Sequence, residues 1–333
     1  MEIVFFHRKK INGAVSIEES FRPLIAEFSK NNVVKEYHVP YHGSSPMKIL
    51  KNILYIRKHS TKNGVNHITG DIHYGILGLI GRKSVLTIHD DYAISLARWG
   101  IMDKVYKWLL WVWLPVCLAS AVVCISPATL RRFEKLYKSK KYRLITHHTI
   151  PSIITESNKP FCKDCPRLLQ IGTEVNKNLE TTLEVVKRLR CKLIVLKPMH
   201  PEQKEKAVRY GIDFENRFDL PYKEVVAEYQ KCDIVLFPSL MEGLGMPIYE
   251  AQAAGKPVIT TNKEPMNWVA GEGALLLENP LDEEEYYNAI QKIINDDEYR
   301  ETLNERGKEN AKRFSLKNAV ENYMSLYNSI IKD

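Results

Sequence analysis

Residues 233–262 read DIVLFPSLMEGLGMPIYEAQAAGKPVITTN. The apolar run DIVLF stops at a Pro-Ser turn. A glycine-rich loop follows, then a stretch that closes at AQAAG, and then a second apolar run, PVIT. The order is strand, glycine loop, helix, glycine stop, strand. Two carboxylates flank the loop: Glu242 and Glu250 are separated by seven residues, with Gly243, Gly245 and Pro247 between them. They stand where a parallel sheet hands its chain to a helix, at the carboxyl end of a strand. Ligands of α/β sheets bind there.

A glycine loop running into a helix offers free backbone N–H groups and the positive end of the helix dipole, which suits phosphate. Gly243 and Gly245 allow close approach of the backbone, and Pro247 fits the first turn. Carboxylates would repel phosphate, so the glutamates must address another part of the same ligand. An ionised carboxylate only accepts hydrogen bonds, and its two oxygens suit neighbouring hydroxyls. A ribose diol and a sugar ring both present these. The ligand with a diphosphate between two hydroxyl-rich groups is a nucleotide sugar.

The strand–helix alternation extends along the whole chain. EIVFF, NHIT, SVLTI and AVVCI read as buried strands of the first half; RLLQIG, KLIVL, DIVLF, PVIT and ALLLE read as those of the second. SIEESFRPLIAEFSK has the spacing of an amphipathic helix, and SLKNAVENYMSLYNSII is another, starting after Phe314. Such alternation implies parallel sheets with helices on both faces. At 333 residues, two domains of about 150 residues are expected. The boundary is expected in SIITESNKPFCKDCP, 152–166, which has two prolines and no clean periodicity.

Charge divides the halves. Residues 1–160 carry 24 Lys and Arg against 11 Asp and Glu, or +13; residues 161–333 carry 24 against 29, or −5, giving +8 in all. The basic half suits an anionic membrane surface, a phosphorylated substrate or nucleic acid. WLLWVWLPVCLASAVVCI, 108–125, is long enough to span a bilayer. Pro115 interrupts it, AVVCI is branched like a strand, and Ser126-Pro127 reads as a fresh helix start. A buried or membrane-grazing helix followed by a core strand is therefore expected. Cys162 and Cys165 form a lone pair with no further ligands, unlike a zinc site. The six cysteines read as reduced thiols, and the opening MEIVFFHRKK reverses the export order, so a cytoplasmic protein is expected. The glycines of GILGLIG lack dinucleotide spacing and suit close helix packing.

PSLMEGLGMPIYEAQAAGKPVITT resembles the signature of the retaining glycosyltransferases of family 4, which have the GT-B fold. LLQIGTEVNKNLETTLEVV resembles the opening strand, phosphate loop and helix of their second domain. GEGALLLENPLDEEEYYNAIQKII and RFSLKNAVENYMSLY resemble the segments that follow, the latter their closing helix, which crosses back onto the first domain. NGAVSIEESF, HITGDIHY and LTIHDD resemble loops of bacterial members that build surface polysaccharides. The resemblance implies two doubly wound α/β domains around a cleft: an acceptor-side domain over 1–155, a nucleotide-sugar domain over 156–313, and a returning helix over 314–333.

By position in those motifs, the resemblance assigns Glu242 to the donor sugar, Glu250 to the ribose and Lys177 to the diphosphate. His89 falls in the cleft near the sugar, and Gly13 in the first-domain loop facing the phosphates. Gly243, Leu244, Gly245 and Met246 line the donor loop. The family pattern often places Arg after the first-loop glycine; here Thr173 follows Gly172, so that cationic contact is either missing or supplied elsewhere, with Lys197 and Arg8 as candidates. Asp71 and His73 are candidates for facing the acceptor. His147 and His148 are expected in an inter-domain loop.

The expected reaction is retaining transfer of a sugar from a nucleoside diphosphate sugar to a hydroxyl of a glycan or polyprenyl-diphosphate-linked glycan, as in O-antigen or capsule synthesis. It would occur at the inner membrane face. The sequence has no Asp-x-Asp pair suited to a diphosphate-bound cation, so no metal and no cofactor are expected. A nucleotide-sugar epimerase or hydrolase would keep the ligand and change the chemistry. A nucleic-acid-binding protein would leave the paired glutamates unexplained, and no nucleic-acid motif is present.

Overall fold

Twelve strands among the described residues form two separate six-stranded sheets, every pair parallel. The computed structural model describes residues 1–9, 16–90, 100–149 and 160–332. Contacts divide the chain into a first unit, residues 1–148 with 316–333, and a second unit, residues 149–315. Part of the expected linker, including residue 155, lies outside the described residues, as does Gly13.

In the first unit the strands are β1 (Glu2–His7), β2 (Val33–His38), β3 (Val65–Ile68), β4 (Ser84–Ile88), β5 (Ala121–Cys124) and β6 (Tyr142–Leu144), in the order β2-β1-β3-β4-β5-β6. Its helices are α1 (Ser16–Ser29), α2 (Pro46–His59), α3 (Gly100–Trp108), α4 (Leu114–Leu118) and α5 (Pro127–Leu136). The tryptophan-rich stretch is helical from α3 through a π turn, Leu109–Trp113, into α4, then enters β5 as a fully buried strand. No helix among the described residues is long and apolar enough to cross a membrane. Ser126 caps α5 by accepting a hydrogen bond from the Thr129 N–H, with Pro127 in the first turn.

GILGLIG falls in a 3-10 helix, His73–Leu79, packed on α2. A Cβ on Gly78 would lie 2.6 Å from the Ile53 carbonyl oxygen, and one on Gly75 would lie 2.6 Å from Ile56. Close packing is the reason for both glycines. Trp111 is buried, and the Trp108 indole N–H donates to the Leu136 carbonyl at 3.2 Å, so these two rings serve the core.

The second unit has β7 (Arg167–Ile171), β8 (Lys192–Leu196), β9 (Phe214–Arg217), β10 (Ile234–Phe237), β11 (Val258–Thr261) and β12 (Leu275–Leu277), in the order β12-β11-β10-β7-β8-β9. Its helices are α6 (Leu179–Val186), α7 (Pro201–Arg209), α8 (Tyr222–Lys231), α9 (Met246–Ala253), α10 (Met266–Ala270), α11 (Glu283–Asn295) and α12 (Asp297–Ala311). The strand order reverses between β7 and β10. That switch point is where a parallel sheet opens a crevice for a ligand.

The last helix, α13 (Leu316–Lys332), belongs to the first unit. Its Tyr323, Leu326, Tyr327 and Ile330 are buried with Phe5, Phe21 and Phe28. The Tyr327 hydroxyl is 2.6 Å from Nδ1 of buried His67, and the Tyr323 hydroxyl is 3.2 Å from the Thr87 hydroxyl. All six cysteines are free thiols: Cys124, Cys191 and Cys232 are buried, and Cys117, Cys162 and Cys165 half-buried.

Candidate functional site

The loops after β7 and β10 meet at the switch point. Asn176 ties them together: its carbonyl accepts the Leu240 N–H at 2.8 Å, and its side-chain amide donates to the Met241 carbonyl at 2.9 Å. Gly172, with φ of 96°, lets the Lys177 side chain lie across it, since a Cβ there would come 2.6 Å from Lys177 Cγ. The Lys177 ammonium then sits 5.1 Å over the Phe237 ring and forms an ion pair with Glu242. Two residues 65 positions apart, picked separately from the sequence, are thus brought together.

Gly245 adopts φ of 98° immediately before α9, a left-handed conformation that a side chain would strain. Leu244 is buried beneath the loop, while Gly243 and Met246 are half-exposed. Pro247 lies in the first turn of α9. Glu250 is almost completely buried on α9. It accepts a hydrogen bond from the Tyr229 hydroxyl at 2.6 Å and a longer one from the Tyr222 hydroxyl at 3.4 Å. Burial pushes its carboxyl above the usual carboxylate range, and the two tyrosine hydroxyls pull it partly back.

The other candidates separate into engaged and open groups. Thr173 is buried and donates its hydroxyl to the Pro198 carbonyl at 2.6 Å, so it replaces no cation. Lys197 is exposed with φ of 86°, and no ion pair holds it among the described residues. Arg8 is not a spare cation. It is clasped by Glu18 through two contacts, at 3.0 and 3.2 Å, and by Asp71. Asp71 is therefore part of an ion-pair cluster in the first unit.

His73 is buried, with Nδ1 2.8 Å from the Trp111 carbonyl, and desolvation lowers its pKa. His89 is buried at the end of β4. Its Nε2 lies 2.5 Å from the Thr69 carbonyl and its Nδ1 2.9 Å from Nε2 of His147. Both ring nitrogens are engaged. His147 and His148 lie in the loop after β6, at the end of the first unit, and both are buried, with Nε2 of His148 3.0 Å from the Ser20 carbonyl.

Sequence reasoning missed Tyr229, Tyr222 and Asn176, and the contact of His147 with His89. Tyr229 reads as one more apolar position of an amphipathic helix, and its partner Glu250 is 21 residues away, so no local pattern exposes the contact. Among the described residues no three His, Cys, Asp or Glu side chains gather as metal ligands.

A loop pair at the switch point, a lysine–glutamate ion pair and a buried glutamate on the following helix coincide with a known segment. Residues 166–310 match the family model of glycosyl transferases group 1. Curated relatives align over the same kind of share. A D-inositol 3-phosphate glycosyltransferase of Corynebacterium urealyticum is 33% identical over 129 residues, 38% of this chain and 30% of that protein. The O-antigen chain mannosyltransferase B of Escherichia coli is 33% identical over 109 residues, 33% of this chain and 27% of that protein. The chain thus aligns with less than a third of the length of either relative. The structure of HepE from Anabaena, solved with UDP and glucose, superposes with a TM-score of 0.77 at 15% identity, covering 99% of this chain and 100% of that one. The fold is GT-B.

Proposed function

We propose that the protein is a retaining glycosyltransferase of the family 4 type, taking a sugar from a nucleoside diphosphate sugar to a hydroxyl of a glycan or lipid-linked glycan. The observation that carries this reading is the convergence of Lys177, Glu242 and Glu250 on the switch point of the second sheet. A cation for the diphosphate lies beside one carboxylate, and a second carboxylate follows on the helix. Glu242 takes hydroxyls of the donor sugar and Glu250 those of the ribose. The bond from the anomeric carbon to the diphosphate oxygen breaks, the acceptor oxygen bonds to the same face, and its proton passes to the departing diphosphate. Lys177 and the backbone N–H groups near Gly245 stabilise the charge that develops there.

The O-antigen mannosyltransferase among the relatives supports a role in bacterial surface polysaccharide synthesis. The UDP and glucose bound to HepE support the nucleotide-sugar donor. The basic first half supports attachment to the inner, anionic face of the cell membrane, with the protein otherwise cytoplasmic. Nucleic acid has no part in this reading.

A thermal-shift screen against UDP, GDP, ADP and their sugars tests it first. One nucleotide series is expected to stabilise the protein, and transfer with that donor is expected to keep the anomeric configuration. No stabilisation by any of them would overturn the reading, and donor consumed without an acceptor would replace it with hydrolysis or epimerisation. Lys177 supplies the positive charge in place of a metal, so transfer is expected to survive exhaustive chelation. A loss restored by manganese would overturn that point.

A further inference from the structure

The two oxygens of Glu250 are not equivalent. Oε2 accepts the Tyr229 hydroxyl at 2.6 Å, whereas Oε1 has, among the described residues, only the 3.4 Å contact from the Tyr222 hydroxyl. Both tyrosines lie on α8, seven residues apart and so on one helical face. Tyr229 is fully buried. Burial and the nearby Glu250 charge push its phenol far above the usual tyrosine range, so it remains protonated and can only donate to the carboxylate. A carboxylate fixed through one oxygen presents the other in a defined direction. One held through neither must be ordered when the ligand arrives.

We propose that Tyr229 is the positioning residue for nucleoside recognition: it clamps Oε2 of Glu250 so that Oε1 is presented to a ribose hydroxyl. This rests on the reading of the second unit as the nucleotide-sugar site. Tyr229 does not touch the ligand; it acts through Glu250. Replacing it with Phe keeps the ring in its buried place and removes only the donor, leaving Oε2 desolvated without its partner.

Calorimetry with UDP, GDP and ADP, each beside its 2′-deoxy form, on the parent, Tyr229→Phe, Glu250→Gln and the double variant tests the clamp. For whichever nucleotide binds best, Tyr229→Phe is expected to weaken the ribose form about tenfold, the scale of one hydrogen bond to a charged group. The 2′-deoxy form should weaken much less. The donor KM should rise with kcat little changed. In the Glu250→Gln background Tyr229→Phe should add almost nothing, because its effect passes through that carboxylate. Parent-like affinity in Tyr229→Phe would overturn the proposal. So would an equal loss in both backgrounds, or for ribose and deoxy forms alike, since that is the behaviour of a merely structural ring. If Glu250→Gln itself binds every nucleotide as the parent does, the nucleotide-site reading fails, and the clamp with it.

Discussion

Lys177 is paired with Glu242. A diphosphate that takes Lys177 must compete with that carboxylate, and this separates the roles of the two glutamates. Glu242→Gln frees the ammonium, so nucleoside diphosphate affinity is expected to stay level or rise. Transfer is expected to fall through kcat, by about tenfold to a hundredfold for one charge-assisted contact at the sugar. Glu250→Gln should instead weaken nucleotide binding and raise the donor KM, because a ribose contact is equally present in substrate and product. Lys177→Ala should lose diphosphate affinity outright. Calorimetry decides: a Lys177→Ala variant that binds like the parent would remove the phosphate role. The positions of the glutamates and glycines were legible because each occupies a fixed place relative to a strand end, and that of Lys177 because its loop resembles a family motif. The ion pair between Lys177 and Glu242 was not, since it depends on which strands neighbour each other in the sheet. The state of His89 was hidden for the same reason: its partner His147 comes 58 residues later.

Elements that the sequence concealed are those at the sheet edges. β2, β6 and β9 are three of the four edge strands, β12 being the fourth and already legible as ALLLE, and none of the three is fully buried along its length. An edge strand need not be apolar on both faces, so VVKEYH and FENR carry charges where an inner strand such as KLIVL is almost wholly apolar. Of the two alternatives expected for the 108–125 stretch, buried or membrane-grazing, the structure gives the buried one for two of its tryptophans. Trp111 is buried and Trp108 is tied to the core. Trp113 stays exposed, and larger exposed apolar stripes are formed by Ile101, Met102 and Val105 of α3 and Met47, Leu50 and Leu54 of α2. Lys48, Lys51 and Lys104 stand exposed among them. The Tyr106 hydroxyl on α3 donates to the Ser44 carbonyl at the start of α2, at 3.1 Å, which joins the two stripes. Apolar stripes edged with lysine suit an anionic bilayer surface. The double substitution Ile101→Glu with Met102→Glu should abolish sedimentation with anionic vesicles at low salt while leaving turnover of a soluble acceptor unchanged. Vesicle binding that survives the substitution would move the attachment elsewhere. Gly78 gives a packing test on the neighbouring element. A Cβ there meets the Ile53 backbone, which cannot swing aside, so Gly78→Ala should cost about 1–3 kcal/mol by overpacking. An unchanged melting temperature would show that the 3-10 helix shifts freely on α2.

Across the whole molecule, the two α/β units and the helicity of α13 were legible because alternating apolar runs and amphipathic stretches determine them, whereas the place of α13 in the first unit was implied only by the family resemblance. The different acid responses expected of the units were not legible, because they depend on burial. Nine of the ten histidines lie in the first unit, and only His200 lies in the second. Desolvation lowers the pKa of His67 to about 3, and it lowers those of His73 and His147 as well, nearby histidines adding to the effect on His147. In the unfolded chain each titrates near 6.5. Below that pH the unfolded state binds protons that the folded state refuses. The stability that depends on these rings is therefore complete above about pH 6.5 and falls as pH drops toward the folded values, by up to about 1.4 kcal/mol per pH unit for each ring. The second unit behaves differently in that window. Burial raises Glu250, so its contribution grows as pH falls. Burial also pushes Glu184 upward, but hydrogen bonds from Lys187, Lys206 and Tyr210 outweigh it and hold the carboxyl at about 2. Stability from Glu184 is lost only below the ordinary glutamate value of about 4.3. Between pH 6.5 and 5 the first unit alone should weaken. Hydrogen exchange followed by mass spectrometry at pH 7 and pH 5 should show earlier opening, corrected for intrinsic rates, in peptides from β3, β4 and α13. Peptides from β7, β8 and β10 should keep their protection. Second-unit peptides opening first at pH 5 would show that the buried histidines do not govern the acid response.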